Sequence, residues 1–199
     1  MGCAVTFHHR IGQERLIAAI APQTSEAFHA LLESALAEAT RSSLGDEAVE
    51  IELTLCGDEE MTHLNFDHMG ERGPTDVLAF PLHEWSVDGD HSHLADEDTI
   101  SPPGGLLLGD VVIDVEQAVR QAADGGWSSP QEIVLLAIHG ALHLVGHDHA
   151  EPEDEAAMRA VEHRVLTAMH RSHPEVGWRP GSLFDQPAHV VSAGPKPIG

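Results

Sequence analysis

The sequence predicts an α/β (α+β) domain with a single sheet of about four strands, packed with helices and organised around one buried central helix. Three observations lead there. Strand-like and helix-like segments alternate through the middle of the chain; the segment IVLLAIHGALHLV is apolar on every face; and 42% of the 199 residues are hydrophobic, enough for one core but not two large ones.

The elements follow in order. VTFHH (5–9) alternates as a first strand. TSEAFHALLESALAEATR (24–41) places Phe28, Leu31, Leu32, Ala35, Leu36 and Ala39 on one face at helical spacing. VEIELTLCG (49–57) alternates Val49, Ile51, Leu53 and Leu55 against Glu50, Glu52 and Thr54, the period of a half-exposed strand. DEEMTHLNFDHM (58–69) opens on acids suited to a helix N-terminus and stops before Gly70. DVLAFPL (76–82) and LLLGDVVID (106–114) are apolar on both faces, as interior strands are.

Asp114 then caps a helix that Gly125 ends. Ser129, Pro130 and Glu132 form a capping box for the apolar helix, which runs to Gly146. EPEDEAAMRAVEHRVLTAMH (151–170) has Met158, Val161, Val165 and Met169 on one stripe and packs as a covering helix. The organisation predicted is one domain over 1–170, an acidic solvated insertion at 83–105, and a Pro- and Gly-rich extension at 171–199 without regular structure.

Bulk properties restrict the function. No run of 18 apolar residues is present and the N-terminus lacks a secretory pattern, so a cytoplasmic protein with no membrane association is expected. Cys3 and Cys56 have no metal-binding or disulfide spacing and are read as inert thiols. With 33 acidic and 10 basic residues the net charge is −23, which repels a polyanion unless a bound metal ion supplies local positive potential.

The chemistry lies in HGALHLVGHDH (139–149). His139 and His143 leave one helix face a turn apart, which lets two ring nitrogens meet one ion. Gly146 ends the helix in a left-handed turn and returns the chain, so that His149 reaches the same ion. Three imidazoles leave a fourth position for water, the pattern of a catalytic zinc site with one Zn2+ per chain; such water is acidified toward a pKa near ~7. Asp148 is a candidate to orient a ligand histidine, and Asp76, Asp110 and Asp148 are candidates to orient the attacking water. The spacing equals that of metzincin proteases, but Gly140 stands where those enzymes carry the glutamate base, which argues against peptide hydrolysis.

HGALHLVGHDH closely resembles the signature of the YbeY family of bacterial rRNA maturation endoribonucleases, and GPTDVLAFP (73–81) resembles its other hallmark. The resemblance spans roughly residues 45–170. It implies a zinc metalloprotein that cleaves single-stranded RNA in 16S rRNA 3′-end maturation and ribosome quality control, with rRNA and the small ribosomal subunit as partners. His139, His143 and His149 take the ligand positions, and Thr75 and Asp76 match the family's TD pair. Met69 stands before Gly70 where many members carry a phosphate-clamping arginine, and Arg72 is the candidate replacement. Ala79 stands where serine is common. A non-catalytic metal-binding ribosome-assembly factor is the rival expectation, and a metalloprotease the third.

Overall fold

The structure, a computed structural model, describes residues 3–84, 105–148, 151–176 and 192–193. Four strands, β1 (Cys3–Arg10), β2 (Val49–Cys56), β3 (Val77–Pro81) and β4 (Leu106–Asp114), form one open sheet, with a two-residue strand β5 (Ser192–Ala193) on its edge. The order is β1-β2-β4-β3-β5. Strands β1, β2 and β4 run parallel, β3 is antiparallel to β4, and β5 pairs parallel with Leu78 and Ala79 of β3.

Among the described residues six α-helices accompany the sheet: α1 (Gln13–Ile20), α2 (Ser25–Leu44), α3 (Asp58–Met69), α4 (Val115–Gly125), α5 (Ser129–Leu144) and α6 (Pro152–Ser172). The main core joins Val77, Leu108, Val111 and Ile113 of the sheet to α1, α2, α5 and α6. Helix α3 covers the opposite face through a smaller cluster of Cys56, Met61, Leu78 and Val112. Past the irregularity between Leu107 and Gly109, Val111 and Ile113 of β4 therefore face α5 while Asp110 and Val112 face the α3 side, as strand alternation requires. Among the described residues no helix is long and apolar enough to cross a membrane.

Helix α5 is the centre. Every residue from Pro130 to Leu144 is buried except His139, which is half-buried. Gly140 makes this packing possible, since a Cβ there would lie 2.6 Å from Val111 Cγ1. Position 140 thus points into the sheet. The capping box is one residue earlier than expected: Ser128 is the cap and Gln131 Oε1 accepts from Ser128 N at 3.0 Å. Both Ser-x-x-Gln and Ser-x-x-Glu are present in this stretch, and the register chosen leaves Glu132 buried, accepting from Trp127 Nε1.

Three further differences from the sequence reading have physical causes. Residues 13–20 fold as α1, whose eight residues are too few to show a clear period; Leu16, Ala19 and Ile20 are buried. The C-terminal extension begins later than 171: α6 continues to Ser172, and a single tight turn at Pro174–Val176 puts Val176 into the core, where its carbonyl accepts from Gln131 Nε2 at 3.1 Å. Ser192–Ala193 pairs with the sheet, while the rest of the extension, and residues 85–104 of the acidic insertion, lie outside the described residues. His83, at the start of that insertion, hydrogen-bonds Leu107 O at 2.7 Å.

The β4–α4 junction carries a second cluster of charge. Asp114 is fully buried and caps α4, its Oδ1 accepting from Glu116 N (2.9 Å) and Gln117 N (3.1 Å). Its carboxyl faces those of Asp58 and Glu116, one oxygen of each lying within 4.8 Å of the others. Arg120 donates to both oxygens of Asp58 (3.0 and 2.6 Å), and Arg15 donates to Glu116 (2.8 Å). Three carboxyls thus meet two guanidiniums. Burial, with Asp58 adjacent, pushes Asp114 up to about 7, while the Arg120 hydrogen bonds hold Asp58 below its usual value.

Two predictions follow from these contacts. Gly140→Ala should overpack the α5–sheet contact, costing about 1–3 kcal/mol; at roughly 2–4 °C per kcal/mol the melting temperature falls clearly, and a shift under about 1 °C would contradict the contact. The folded state holds the Asp114 proton more tightly than the unfolded chain does, so this residue's contribution to stability declines as pH rises from about 4 to about 7. Asp114→Asn keeps the cap and removes that decline. The stability of the variant relative to wild type should therefore rise across this pH window in denaturant titrations, and a constant difference would count against a buried shared proton.

Candidate metal centre

His139 and His143 lie on consecutive turns of α5, and their Nε2 atoms converge to 3.1 Å. The rings are close to edge-on, with centroids 4.8 Å apart and planes at 66°. His139 Nδ1 donates to Glu162 Oε1 of α6 at 2.5 Å, and both side chains are nearly enclosed, at 12% and 9% exposure. With its proton on Nδ1, a neutral His139 presents the Nε2 lone pair toward His143.

This donor set fits a divalent ion. Two nitrogens at about 2.0–2.1 Å from one tetrahedral ion stand roughly 3.3 Å apart, close to the separation observed. The carboxylate on the remote nitrogen fixes tautomer and ring orientation, as ligand histidines require. His149, the third expected ligand, lies outside the described residues. The turn that redirects the chain toward it is present: Gly146 has φ 88°, Gly146 N donates to His143 O (3.1 Å) and His147 N donates to Leu142 O (2.9 Å). The His147 ring hydrogen-bonds Ser43 Oγ of α2 at 3.1 Å, and burial, reinforced by Arg164, lowers its pKa. Asp58, Asp114 and Glu116 form a group of three metal-type ligands among the described residues, but guanidiniums and backbone N–H groups already engage it.

The remaining candidates are dispersed. Asp110 is on the α3 side of β4, opposite the face that Val111 turns to Gly140, so the sheet separates it from the His139–His143 pair; partial burial and adjacent Glu52 raise its pKa. The structure does not bring Asp110 to these histidines, and strand parity is the physical reason. Asp76 is buried and ties β3 to α4: its oxygens accept from Val77 N and Gln121 Nε2, each at 2.9 Å. Asp148 is exposed just beyond the Gly146 turn. Arg72 is exposed on the loop before β3, which Asn65 Nδ2 steadies by donating to Gly73 O at 2.9 Å. Among the described residues neither Arg72 nor Arg164 forms an ion pair with a carboxylate.

Glu162 is the functional residue that the sequence reading missed. Its signal was a carboxylate on the buried stripe of α6, four residues after Met158 and three before Val165. Cys3 and Cys56 are free thiols pushed up to about 12 by burial, which leaves them protonated and inert.

Removing the Glu162 carboxylate should loosen ion binding by about 10- to 100-fold. Equilibrium dialysis of Glu162→Gln against Zn2+ checks this, and unchanged affinity would separate Glu162 from the centre.

Comparison with known proteins converges on the same region. The family model described as "Endoribonuclease YbeY" matches residues 18–170. Curated relatives named Endoribonuclease YbeY include those of Salinispora tropica, 43% identical over 62% of this chain and 76% of the relative, and Desulfitobacterium hafniense, 42% identical over 69% and 82%. That of Symbiobacterium thermophilum is 38% identical over 80% of this chain and 95% of its own length. The solution structure of TM1509 from Thermotoga maritima aligns over 85% of this chain and 95% of that chain with 20% identity and a TM-score of 0.48. With the family model spanning most of the chain and relatives matched over most of their own lengths, this protein belongs to the endoribonuclease YbeY family.

Proposed function

We propose that this chain is a cytoplasmic, zinc-dependent, single-strand-specific endoribonuclease that acts on rRNA of the small ribosomal subunit, in 16S rRNA 3′-end maturation and ribosome quality control. The observation that carries the reading is the convergence of His139 and His143 Nε2 at 3.1 Å, with Glu162 on the far nitrogen of His139, in a chain of this family. His139, His143 and His149 would hold the ion. When bound, such an ion supplies Lewis acidity toward a phosphate oxygen and acidifies water.

The protein's own part is positional. Glu162 holds the proton on His139 Nδ1, keeping Nε2 available as a donor atom, and the packing of Gly140 on Val111 sets the depth at which α5 presents both rings. Arg72, Arg164 and Arg171, outside the ion pairs of the described residues, are cations available to a phosphodiester. Because position 140 faces the sheet, no carboxylate can stand there as the base of a peptidase.

A second reading, a ribosome-assembly factor that binds rRNA without cleaving it, is favoured by Met69 in the place of a common family arginine and by the net charge of −23. Incubation of the Zn2+-loaded protein with single-stranded RNA, duplex RNA and a peptide separates the two. Nuclease action predicts cleavage of the first alone, lost in His143→Ala and on chelation. Small-subunit binding with intact RNA would establish the assembly factor instead. If Arg72 holds a phosphate, Arg72→Ala slows cleavage about 10-fold or more, since a charge-assisted contact contributes roughly 1.5–3 kcal/mol.

A further inference from the structure

The chain has 16 histidines, far more than the centre on α5 uses, and a second pair converges at the opposite edge of the sheet. On β1, Val5, Phe7 and His9 share the side that faces α2, by strand alternation, and Val5 and Phe7 pack on the main core. His29, in the second turn of α2, lies under this strand. Its imidazole stacks on the Phe7 ring at a centroid distance of 4.1 Å and an interplanar angle of 7°. On its other flank is His9, with centroids 5.0 Å apart, planes tilted by 43°, and the two Nε2 atoms 3.0 Å apart.

We infer that His9 and His29 form a second divalent-metal site, for a borderline transition ion of the zinc, nickel or copper class, that cross-links the edge strand β1 to α2. The convergence matches that of His139 and His143 and the roughly 3.3 Å span of two nitrogens on one tetrahedral ion. Imidazole is the ligand these ions prefer, and His9 is exposed, which leaves room for water to complete the shell. The stack on Phe7 fixes the His29 ring plane before any ion arrives. Partial burial and adjacent His9 lower the His29 pKa, favouring the neutral form that binds metal, while Glu33, one turn along α2, places a carboxylate nearby. His9 precedes the segment 18–170 that matches the family, so the site is a property of this chain rather than of that match. Its consequence is mechanical: β1 pairs with β2 alone, and an ion on this pair gives the edge strand a second attachment.

A single N–H···N bond between the two rings is the competing account, and it predicts no ion uptake. The test is equilibrium dialysis of the full chain against Ni2+, with imidazole NMR to locate the ion by paramagnetic broadening. The wild type should take up one equivalent more than His9→Ala or His29→Ala, and the broadened ring signals should include His9 and His29. The same equivalent should persist in His139→Ala, which tests the two centres separately. Both side chains are at least partly exposed, so the variants should fold, and ion-free circular dichroism establishes that they do. Added Ni2+ should raise the melting temperature of wild type about 3 °C more than that of His9→Ala at an ion concentration roughly ten times the dissociation constant. Equal uptake by wild type and the His9→Ala/His29→Ala double variant, or absence of broadening at both rings, would overturn the site.

Discussion

A helix buried along nearly its whole length must have its polar side chains answered from within the protein, and that requirement organises this molecule. Helix α5 carries two histidines, a glutamate and a glutamine in such a setting. Each is met by a different neighbour. Gln131 bonds the Ser128 backbone and the carbonyl of Val176, Glu132 receives the Trp127 indole, and His139 receives Glu162 from α6. His139 and His143 also meet each other. The close approach at Gly140 sets the distance from α5 to β3 and β4, and α6 lies where its carboxylate reaches the imidazole.

Much of this was legible in the sequence wherever a pattern repeats. The apolar stripes of α2 and α6, the alternation in β2, and the all-apolar α5 each extend over enough residues for a period to be read, and the structure builds helices and strands there. The histidine spacing was legible for the same reason, since i and i+4 on a helix have one geometric outcome. What escaped depended on tertiary contact. Helix α1 is only eight residues long, Val176 is a lone apolar residue among prolines, and the choice between Ser128 and Ser129 as cap turns on where Glu132 finds a donor. Glu162 reads as one more surface acid until α6 is docked. The side on which Asp110 lies was legible from parity: Val111 faces the buried helix, so its neighbour faces away.

The excess of acid is distributed by the same alternation. Glu52 and Asp110 share the α3 side of the sheet, where His8 hydrogen-bonds Glu52. The His139–His143 pair belongs to α5, on the other side of the sheet. Arg10, Arg15, Arg41, Arg120 and Arg159 are all engaged by carboxylates, so the scarce cations mostly neutralise the chain's own acids. Net charge therefore describes this protein poorly. Near the end of α5 the local charge comes from Arg164, which acts on His147, rather than from the total.

The link between His139 and Glu162 joins residues 23 positions apart. During translation the two histidines of α5 leave the ribosome before the carboxylate that orients one of them has been made. A nascent chain ending between residues 144 and 161 carries the imidazoles with ring and tautomer unset, and only the docking of the last long helix sets them. The orientation of His139 thus arrives only once α6 has been made and docked, and a chain cut before Glu162 lacks it.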